Sequence, residues 1–499
     1  MSVTKCMQAS NPNSLVEQFD QVLQFVCRAA KNGVALQETE GTVLSSIVTL
    51  GCELMSLFLS LQGDGDVGAT VEVDGETLNR SDEPHERPVR TVFGEHSYKA
   101  YVYGRDVDKK IEFRPVDARI LLPDGKHSPK FCEIAHILFA EQAFGRTAQT
   151  LEAIFGQRIA VNSLERISER LSVDAENFLH QVPIPARQDE GEILVVSADG
   201  KGVPMIRVKV SKDPAFEKRA YPGNRKMATL ATVYSVDRFV RTPEQIVDAL
   251  FRENTEIPKP KRPEPVGKVV VGCMTRMEGD EPIPGDIQAF TWAGEQVKRR
   301  YKAKQPLVRL LDGQVSLWET ANVCLEGRAA TDILDIIHVS GYVWTAAKIF
   351  HPHREAQEWF TRDRLGRILH GEVSGVISGL RQMATKQELG KKDRAIIERV
   401  CGYFEKNRYR MRYDEYLRAG YPIATGVIEG ACRHLVMDRM CRTGMRWGPT
   451  GSQAMLHLRA VNQADQTTAF HAYRADQERQ KTSKFRRLLK SYQPHTLCG

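Results

Sequence analysis

Long apolar runs, paired cysteines and a strong charge of either sign are all scarce in this chain. Its ten cysteines are scattered, with no Cys-x-x-Cys pair and no clustered Cys/His spacing. That argues against a zinc ribbon or a disulfide scaffold and fits reduced thiols. No stretch approaches ~20 consecutive apolar residues, so no membrane span is expected. The first fourteen residues are polar and lack the apolar core of a secretory signal, so a cytoplasmic location is expected. A formal charge of +7 is mild for 499 residues; it permits a polyanionic partner without demonstrating one. What is present, 41% apolar and 27% charged residues, suffices for real cores in two to four domains.

Composition and periodicity divide the chain. Residues 1–67 read as a helical region: Leu15, Phe19, Val22, Leu23 and Val26 fall on one helical face, and 42–61 is long enough for a second helix. Residues 68–127 read as a small β-rich module, with strands at 70–73 and 98–103 and a turn at Gly94-Glu95-His96. Residues 128–185 are helical again. A tight turn at Gly156-Gln157-Arg158 precedes a helix opened by Asn162, with Glu165 placed to complete a capping box. Leu164, Ile167 and Leu171 form its buried stripe, leaving Arg166 and Arg170 outward as candidate DNA contacts. The pattern is that of a helix-turn-helix, and an ordinary helical hairpin fits the same residues.

The next region alternates strand and helix. Ile193-Leu194-Val195-Val196-Ser197-Ala198 reads as a strand buried on both faces and ends in Asp199-Gly200. An Asp-Gly pair starts turns, and a carboxylate at a rigid strand end also holds metal ions; Asp199 alone leaves both readings open. Residues 202–210 and 227–236 read as further strands, 242–265 as a Pro-rich exposed insertion, and 287–302 as a helix capped by Asp286. Leu307-Val308-Arg309-Leu310-Leu311 then repeats the first design and closes in Asp312-Gly313. After a helix at 315–324 comes a third apolar run, 333–338, carrying Asp335 and His338. Residues 340–420 read as a helical insertion rich in Arg, Lys and aromatics, and 421–465 as further helices. One of these begins at Thr425 and carries Glu429 in its first turns, where the helix dipole favours an ionised carboxylate, with Arg433 on the same face. Residues 466–499 form a basic tail, read as a solvated helix or a frayed terminus.

Asp199 and Asp312 at strand ends and Glu429 on a helix are able to converge. Hard divalent cations favour such oxygen ligands, and two ions about 3.5–4 Å apart activate the attacking oxygen and stabilise the leaving one in phosphodiester cleavage.

The blocks Val196-Ser197-Ala198-Asp199-Gly200-Lys201-Gly202-Val203, Leu311-Asp312-Gly313, Asp335-Ile336-Ile337-His338-Val339 and Gly426-Val427-Ile428-Glu429-Gly430 through Gly444-Met445-Arg446-Trp447 resemble bacterial insertion-sequence DDE transposases of the Kra-type group, related in plan to Mutator-like transposases. The resemblance covers most of residues 68–465. It implies an α/β RNase H-like catalytic core, a mixed sheet with flanking helices, in two parts (186–339 and 421–465) split by the helical insertion. It implies Asp199, Asp312 and Glu429 as catalytic, metal-binding carboxylates for Mg2+ or Mn2+, two ions in all. Asp335 and His338 are implied near the active site in a supporting role. Arg433, His434, Arg439, Arg442, Arg446 and Trp447 are expected to grip DNA. The expected partners are double-stranded DNA, as terminal inverted repeats and target, and further copies of the chain on that DNA. The implied activity is DNA cleavage at element ends and strand transfer of the 3′-hydroxyls. A catalytically silent, transposase-derived DNA-binding protein and an RNase H-like structure-specific nuclease remain alternatives.

Overall fold

The computed structural model describes residues 12–107, 109–206, 224–252, 261–327, 329–442 and 444–494. Residues up to Arg170 together with those from Thr467 onward make one compact unit, and Leu171–Gln466 makes a second.

The first unit opens with two antiparallel helices, α1 (Pro12–Asn32) and α2 (Leu36–Ser60). The single apolar face expected of α1 is in fact two. Leu15 and Ala29 are buried, while Phe19, Leu23 and Val26 on the neighbouring stripe are exposed. The second helix also departs from expectation. Over 25 residues it is long and apolar enough to cross a membrane by length and composition. Its apolar residues are interleaved with Ser, Thr and Gly, so no uninterrupted run announces it. It also carries Glu38, Glu40 and Glu53.

The β-rich module is two small sheets. Strands β1 (Thr70–Val73), β2 (Glu76–Arg80) and β5 (Tyr103–Gly104) form one, and the hairpin β3 (His85–Arg90) and β4 (Glu95–Ala100) the other. Asp74 and Gly75 both take positive φ, as a two-residue hairpin between β1 and β2 requires. The expected strand 98–103 is broken at Ala100, and Glu95-His96 is strand rather than turn; the turn is closed by Thr91 N bonding Gly94 O at 2.9 Å. A buried Asp117 ties the β3–β4 hairpin to the segment after the sheets, bonded by Arg87 Nε at 2.8 Å and by the Tyr98 hydroxyl.

Helices α4 (Pro129–Glu141), α5 (Phe144–Phe155) and α6 (Val161–Gln181) follow a short α3 (Pro115–Ile120). Gly156 ends α5 in the left-handed region. The next helix begins earlier than expected: Ala160 O accepts from the amides of Ser163 and Leu164, which leaves Asn162 inside the first turn, unable to cap it. The basic tail is a 22-residue helix, Thr467–Leu488, packed on its own unit. Phe485 stacks on Phe113, and Lys481 and Lys484 pair with Asp124 and Asp74.

The second unit is mixed α/β around a five-stranded mixed sheet. Its strands are β6 (Ile193–Pro204), β7 (Arg225–Val236), β8 (Val266–Met274), β11 (Leu307–Leu311) and β12 (Ala330–Leu334), in the order β12-β11-β6-β7-β8, with β9 (Arg276–Glu278) and β10 (Glu281–Ile283) forming a separate antiparallel pair. The joins of β6 with β11 and of β11 with β12 are parallel; β7 runs antiparallel to both β6 and β8. Ile193, Leu194, Val195 and Val196 are wholly buried, each worth about 1.5–3 kcal/mol in apolar transfer. Ile193, Val195, Val308 and Leu310, alternate residues of their strands, enter one core with the helices that follow β12.

Four expectations change here. The helix expected to be capped by Asp286 starts at Gly285, with Pro284 at its cap position and Asp286 inside the first turn. The first strand does not stop at Asp199 but continues for twelve residues to Pro204, so no separate strand starts at Gly202; residues 207–210 lie outside the described residues. The Pro-rich stretch contains a helix, Pro243–Leu250, opened by a capping box between Thr242 and Gln245. The third apolar run is half strand and half helix: β12 ends at Leu334 and a helix begins at Ile336.

Candidate active site

Parallel strands in register bring their carboxyl ends to one level. Ala198 pairs with Leu311, and Leu311 with Leu334. The next residue on each strand is an aspartate, so Asp199, Asp312 and Asp335 stand side by side across three neighbours. Asp199 is still within its strand, opposite Leu230; Asp312 and Asp335 are the first residues beyond theirs.

Asp335 is wholly buried and caps the helix Ile336–Phe350. Its Oδ2 accepts from the His338 amide at 3.0 Å and lies 2.7 Å from His338 Nδ1. Its Oδ1 accepts from the Thr425 amide at 2.9 Å. With both oxygens so occupied, Asp335 suits a positioning role better than ligation. The Thr425 hydroxyl donates to Glu429 Oε1 at 3.1 Å, which ties the third carboxylate to the sheet. Asp335, His338 and Glu429 each present a ligand atom, all within 4.8 Å of one another. That set differs from the expected Asp199, Asp312 and Glu429: Glu429 approaches the Asp335–His338 pair.

Each of the other two carboxylates is anchored by one backbone amide. Asp199 Oδ1 accepts from Gly200 N at 2.7 Å and Asp312 Oδ1 from Gln314 N at 2.9 Å. Asp199 Oδ2 also lies 3.4 Å from the Cys432 thiol, a partner the sequence analysis gave no role. Its signal was present: Cys432 follows Glu429 by three residues, hence on the same helical face. Burial, with the nearby charges of Asp199 and Asp335, raises the Asp312 pKa above the ordinary carboxylate value, while the Gln314 amide and His338 oppose the rise. The hydrogen bond to Asp335 raises the His338 pKa against the effect of burial, and the charges of Asp335, Asp312 and Asp199 add to the rise. These residues therefore form one electrostatic cluster. Carboxylate oxygens with one anchored and one remaining lone-pair face fit a hard divalent cation, which takes few protein ligands and keeps water or phosphate oxygens for the rest.

Glu429 lies on the helix Gly426–Cys432, which passes into a π turn at Arg433–Met437. The buried Arg459 answers the backbone this turn frees, its Nε donating to His434 O at 3.1 Å and Leu435 O at 3.0 Å. Arg433, His434, Arg442 and Arg446 are exposed along the segment after Glu429. Asp438 lies 3.0 Å from His434 and 3.8 Å from Arg433.

Arg439 and Trp447 do not have the surface placement expected of DNA contacts. Arg439 is 1% exposed and sits over the Trp447 ring, on the same helical stripe as buried Leu435, Val436 and Met440. Trp447 is buried too; its backbone bonds Pro204 and Ile206 beside the end of β6, and its indole donates to Met440 O. Both hold the fold. In the other unit Arg166 is exposed, whereas Arg170 is turned in, donating to Asp124 O at 2.6 Å and to the Cys132 sulfur at 3.4 Å. The turn before that helix is tied down as well, Gln157 Nε2 donating to the carbonyls of Thr91 and Val92. A cavity of about 430 Å3 lined by Tyr234, Val236, Phe239, Arg241 and Pro422 extends to Ala424, Gly426 and Val427, which flank the Thr425 that bonds Asp335.

No protein-family model and no curated protein matches the chain. Among solved structures, a Drosophila P element transposase strand transfer complex is similar at a TM-score of 0.24 and 11% identity, over 69% of this chain and 80% of that one. A likeness that distant carries no argument about fold or chemistry.

Proposed function

We propose that the chain is a metal-dependent DNA transposase of the DDE type, cleaving the ends of an insertion sequence and transferring the 3′-hydroxyls into target DNA. The observation that carries the reading is the register: three aspartates at one level on adjacent strands, with Glu429 linked to them through Thr425. The sheet order, with three strands parallel and an antiparallel strand beside the first, supports an RNase H-like core.

In this reading Asp199, Asp312 and Glu429 hold Mg2+ or Mn2+, which supplies Lewis-acid activation of the attacking and leaving oxygens. The rest belongs to the chain itself. The buried strands keep Asp199 and Asp312 from moving apart, so their geometry needs little reorganisation during reaction. Asp335 orients His338 and, through Thr425, Glu429. With its raised pKa, His338 is favoured as a cation, suited to donating to a phosphate oxygen beside the carboxylates. Arg433, Arg442 and Arg446 supply sequence-independent contacts to the DNA backbone, and copies of the chain assemble on that DNA.

The test is incubation of the purified protein with the DNA that flanks its own gene and Mg2+, resolving nicked from joined products. Wild type should nick at discrete positions and join the ends. Asp312→Asn should lose at least ~100-fold in nicking, the scale of removing one preorganised electrostatic group. Binding without nicking by wild type would sink the enzyme, and nicking without joining would reduce it to a nuclease.

A further inference from the structure

The cavity at the end of β7 holds two guanidiniums that no carboxylate answers. Arg241 and Arg262 both line it. Arg241 is fixed from behind: its Nε donates to Phe239 O at 3.0 Å and its Nη2 to Tyr421 O, which leaves Nη1 without a partner among the described residues. Arg262 is exposed and has no hydrogen bond or ion pair among the described residues. The two acidic residues in the lining are engaged elsewhere, Asp237 by the Glu192 amide at 3.3 Å and Glu264 by Lys261 at 3.5 Å.

The electrostatics place both charges at the cavity. Burial and the Arg262 charge push the Arg241 pKa down to about 10; no acidic group offsets them, and Arg241 stays a cation at neutral pH. Arg262 also acts on Tyr234, which is 2% exposed and whose hydroxyl has no partner among the described residues. Two like charges beside a buried hydroxyl are a poor arrangement for stability and a ready one for an anion. The rest of the wall is flat and apolar, with Phe239, Pro263, Pro265 and Pro422, and a volume of about 430 Å3 is that of a small-molecule site.

We propose that this cavity binds a phosphomonoester borne on a planar ring, the chemistry of a nucleoside 5′-monophosphate. The phosphate dianion lies between Arg241 and Arg262, whose N–H groups make charge-assisted bonds to its oxygens, and the Tyr234 hydroxyl donates to it as well. The ring packs on Phe239 and the prolines. A carboxylate would answer only one of the two cations. Another part of the wall is the chain at Ala424, Gly426 and Val427, on either side of the Thr425 that bonds Asp335 and Glu429. An occupant therefore buttresses the loop that orients Glu429. The assignment stands on the cavity alone and is independent of the nuclease reading.

Calorimetric titration of the full chain in metal-free, phosphate-free buffer tests it, with phenyl phosphate, adenosine 5′-monophosphate and inorganic phosphate as probes. The two esters should bind at least ~10-fold more tightly than inorganic phosphate, since only they use the apolar wall. Arg262→Ala, at an exposed position, should melt at or above wild type without ligand, because it relieves the repulsion, yet lose at least ~10-fold in affinity for the esters. Arg241→Gln should lose affinity too; Arg241 also holds two carbonyls, so Arg262→Ala carries the test. Adenosine 5′-monophosphate should slow amide hydrogen exchange across residues 420–427 in wild type and not in Arg262→Ala. A 5′-phosphorylated oligonucleotide and its 5′-hydroxyl twin separate the sources of the ester: tighter, Arg262-dependent binding of the phosphorylated strand puts the ligand at a DNA end, and equal binding of the two strands assigns the site to the free nucleotide. No binding of either ester, inorganic phosphate binding as tightly as the esters, or full affinity in Arg262→Ala would each overturn the proposal.

Discussion

The strands β6 and β11 share one plan, an apolar run closed by Asp-Gly, yet they continue differently. At Asp199-Gly200 the chain keeps extending, because β7 offers a partner residue at every step to Pro204. At Asp312-Gly313 the chain turns: Gln314 N bonds the aspartate, Trp318 Nε1 bonds Asp312 O at 2.6 Å, and the Tyr403 ring closes over Gly313. Neither end follows from Asp-Gly itself. What differs is the neighbour: a long antiparallel strand in one case, an aromatic side chain of the helical insertion in the other. Both aspartates nonetheless reach the same level, because parallel register depends on the residues before them.

Substitutions at the two ends sharpen that comparison. The largest effect expected is on activity: Asp199→Asn and Asp312→Asn should each reduce Mg2+-dependent nicking to ~1% of wild type or less. Their effects on stability should then part. A carboxyl whose folded pKa is raised is penalised once ionised; the penalty is absent below the unfolded carboxylate range and grows as pH rises through the folded value. Metal-free Asp312→Asn should therefore melt above wild type at neutral pH, and Mg2+ should raise the melting temperature of wild type more than that of the variant.

Asp335→Ala comes next. It removes a helix cap and leaves the buried Thr425 amide unpaired, at a cost of about 2–4 kcal/mol by denaturant titration. Were Asp335 a metal ligand and nothing more, the metal-free variant would be as stable as wild type.

The glycines give the direct contrast. A Cβ at Gly313 would sit 2.1 Å from Tyr403 Cε2, and Tyr403 is itself stacked on Tyr342 at 3.8 Å, so it has no room to give. Gly313→Ala should cost about 1–3 kcal/mol. At Gly200 the Cβ would meet only the flexible side chain of an exposed Met227, its sulfur at 3.1 Å, so Gly200→Ala should stay within about 0.5 kcal/mol. Equal losses at the two positions would break the comparison.

The smallest effect is the pH dependence of His338. Its folded pKa is raised, so its stabilisation is complete below the ordinary histidine value and disappears as pH rises through the raised one. His338→Gln should lower the melting temperature in mildly acidic buffer and leave it unchanged in alkaline buffer.

The strand cores, the stripe of Leu164, Ile167 and Leu171, and the helix carrying Glu429 were legible because each is a local pattern of period two or 3.6. The Asp335 cap was hidden inside an apolar run, since Ile336-Ile337 suits a strand as well as a helix. Arg439 misled because arginine is usually exposed; its place in the stripe with Leu435 and Val436 was the available warning. The pairing of Cys432 with Asp199 depends on two segments 233 residues apart, and no local pattern records that.

The sequence by itself determined the apolar segments, their periods, and the identity of the four acidic residues placed just beyond or within them. Those follow from backbone geometry and transfer of side chains from water, which act over a few residues. Only the tertiary structure decided that β6 runs past Asp199, that Glu429 comes within 4.8 Å of Asp335 and His338, and which of the two stripes of α1 stays in solvent. Those outcomes turn on which distant segment supplies the hydrogen bonds and the covering side chains, and no short-range pattern carries that information.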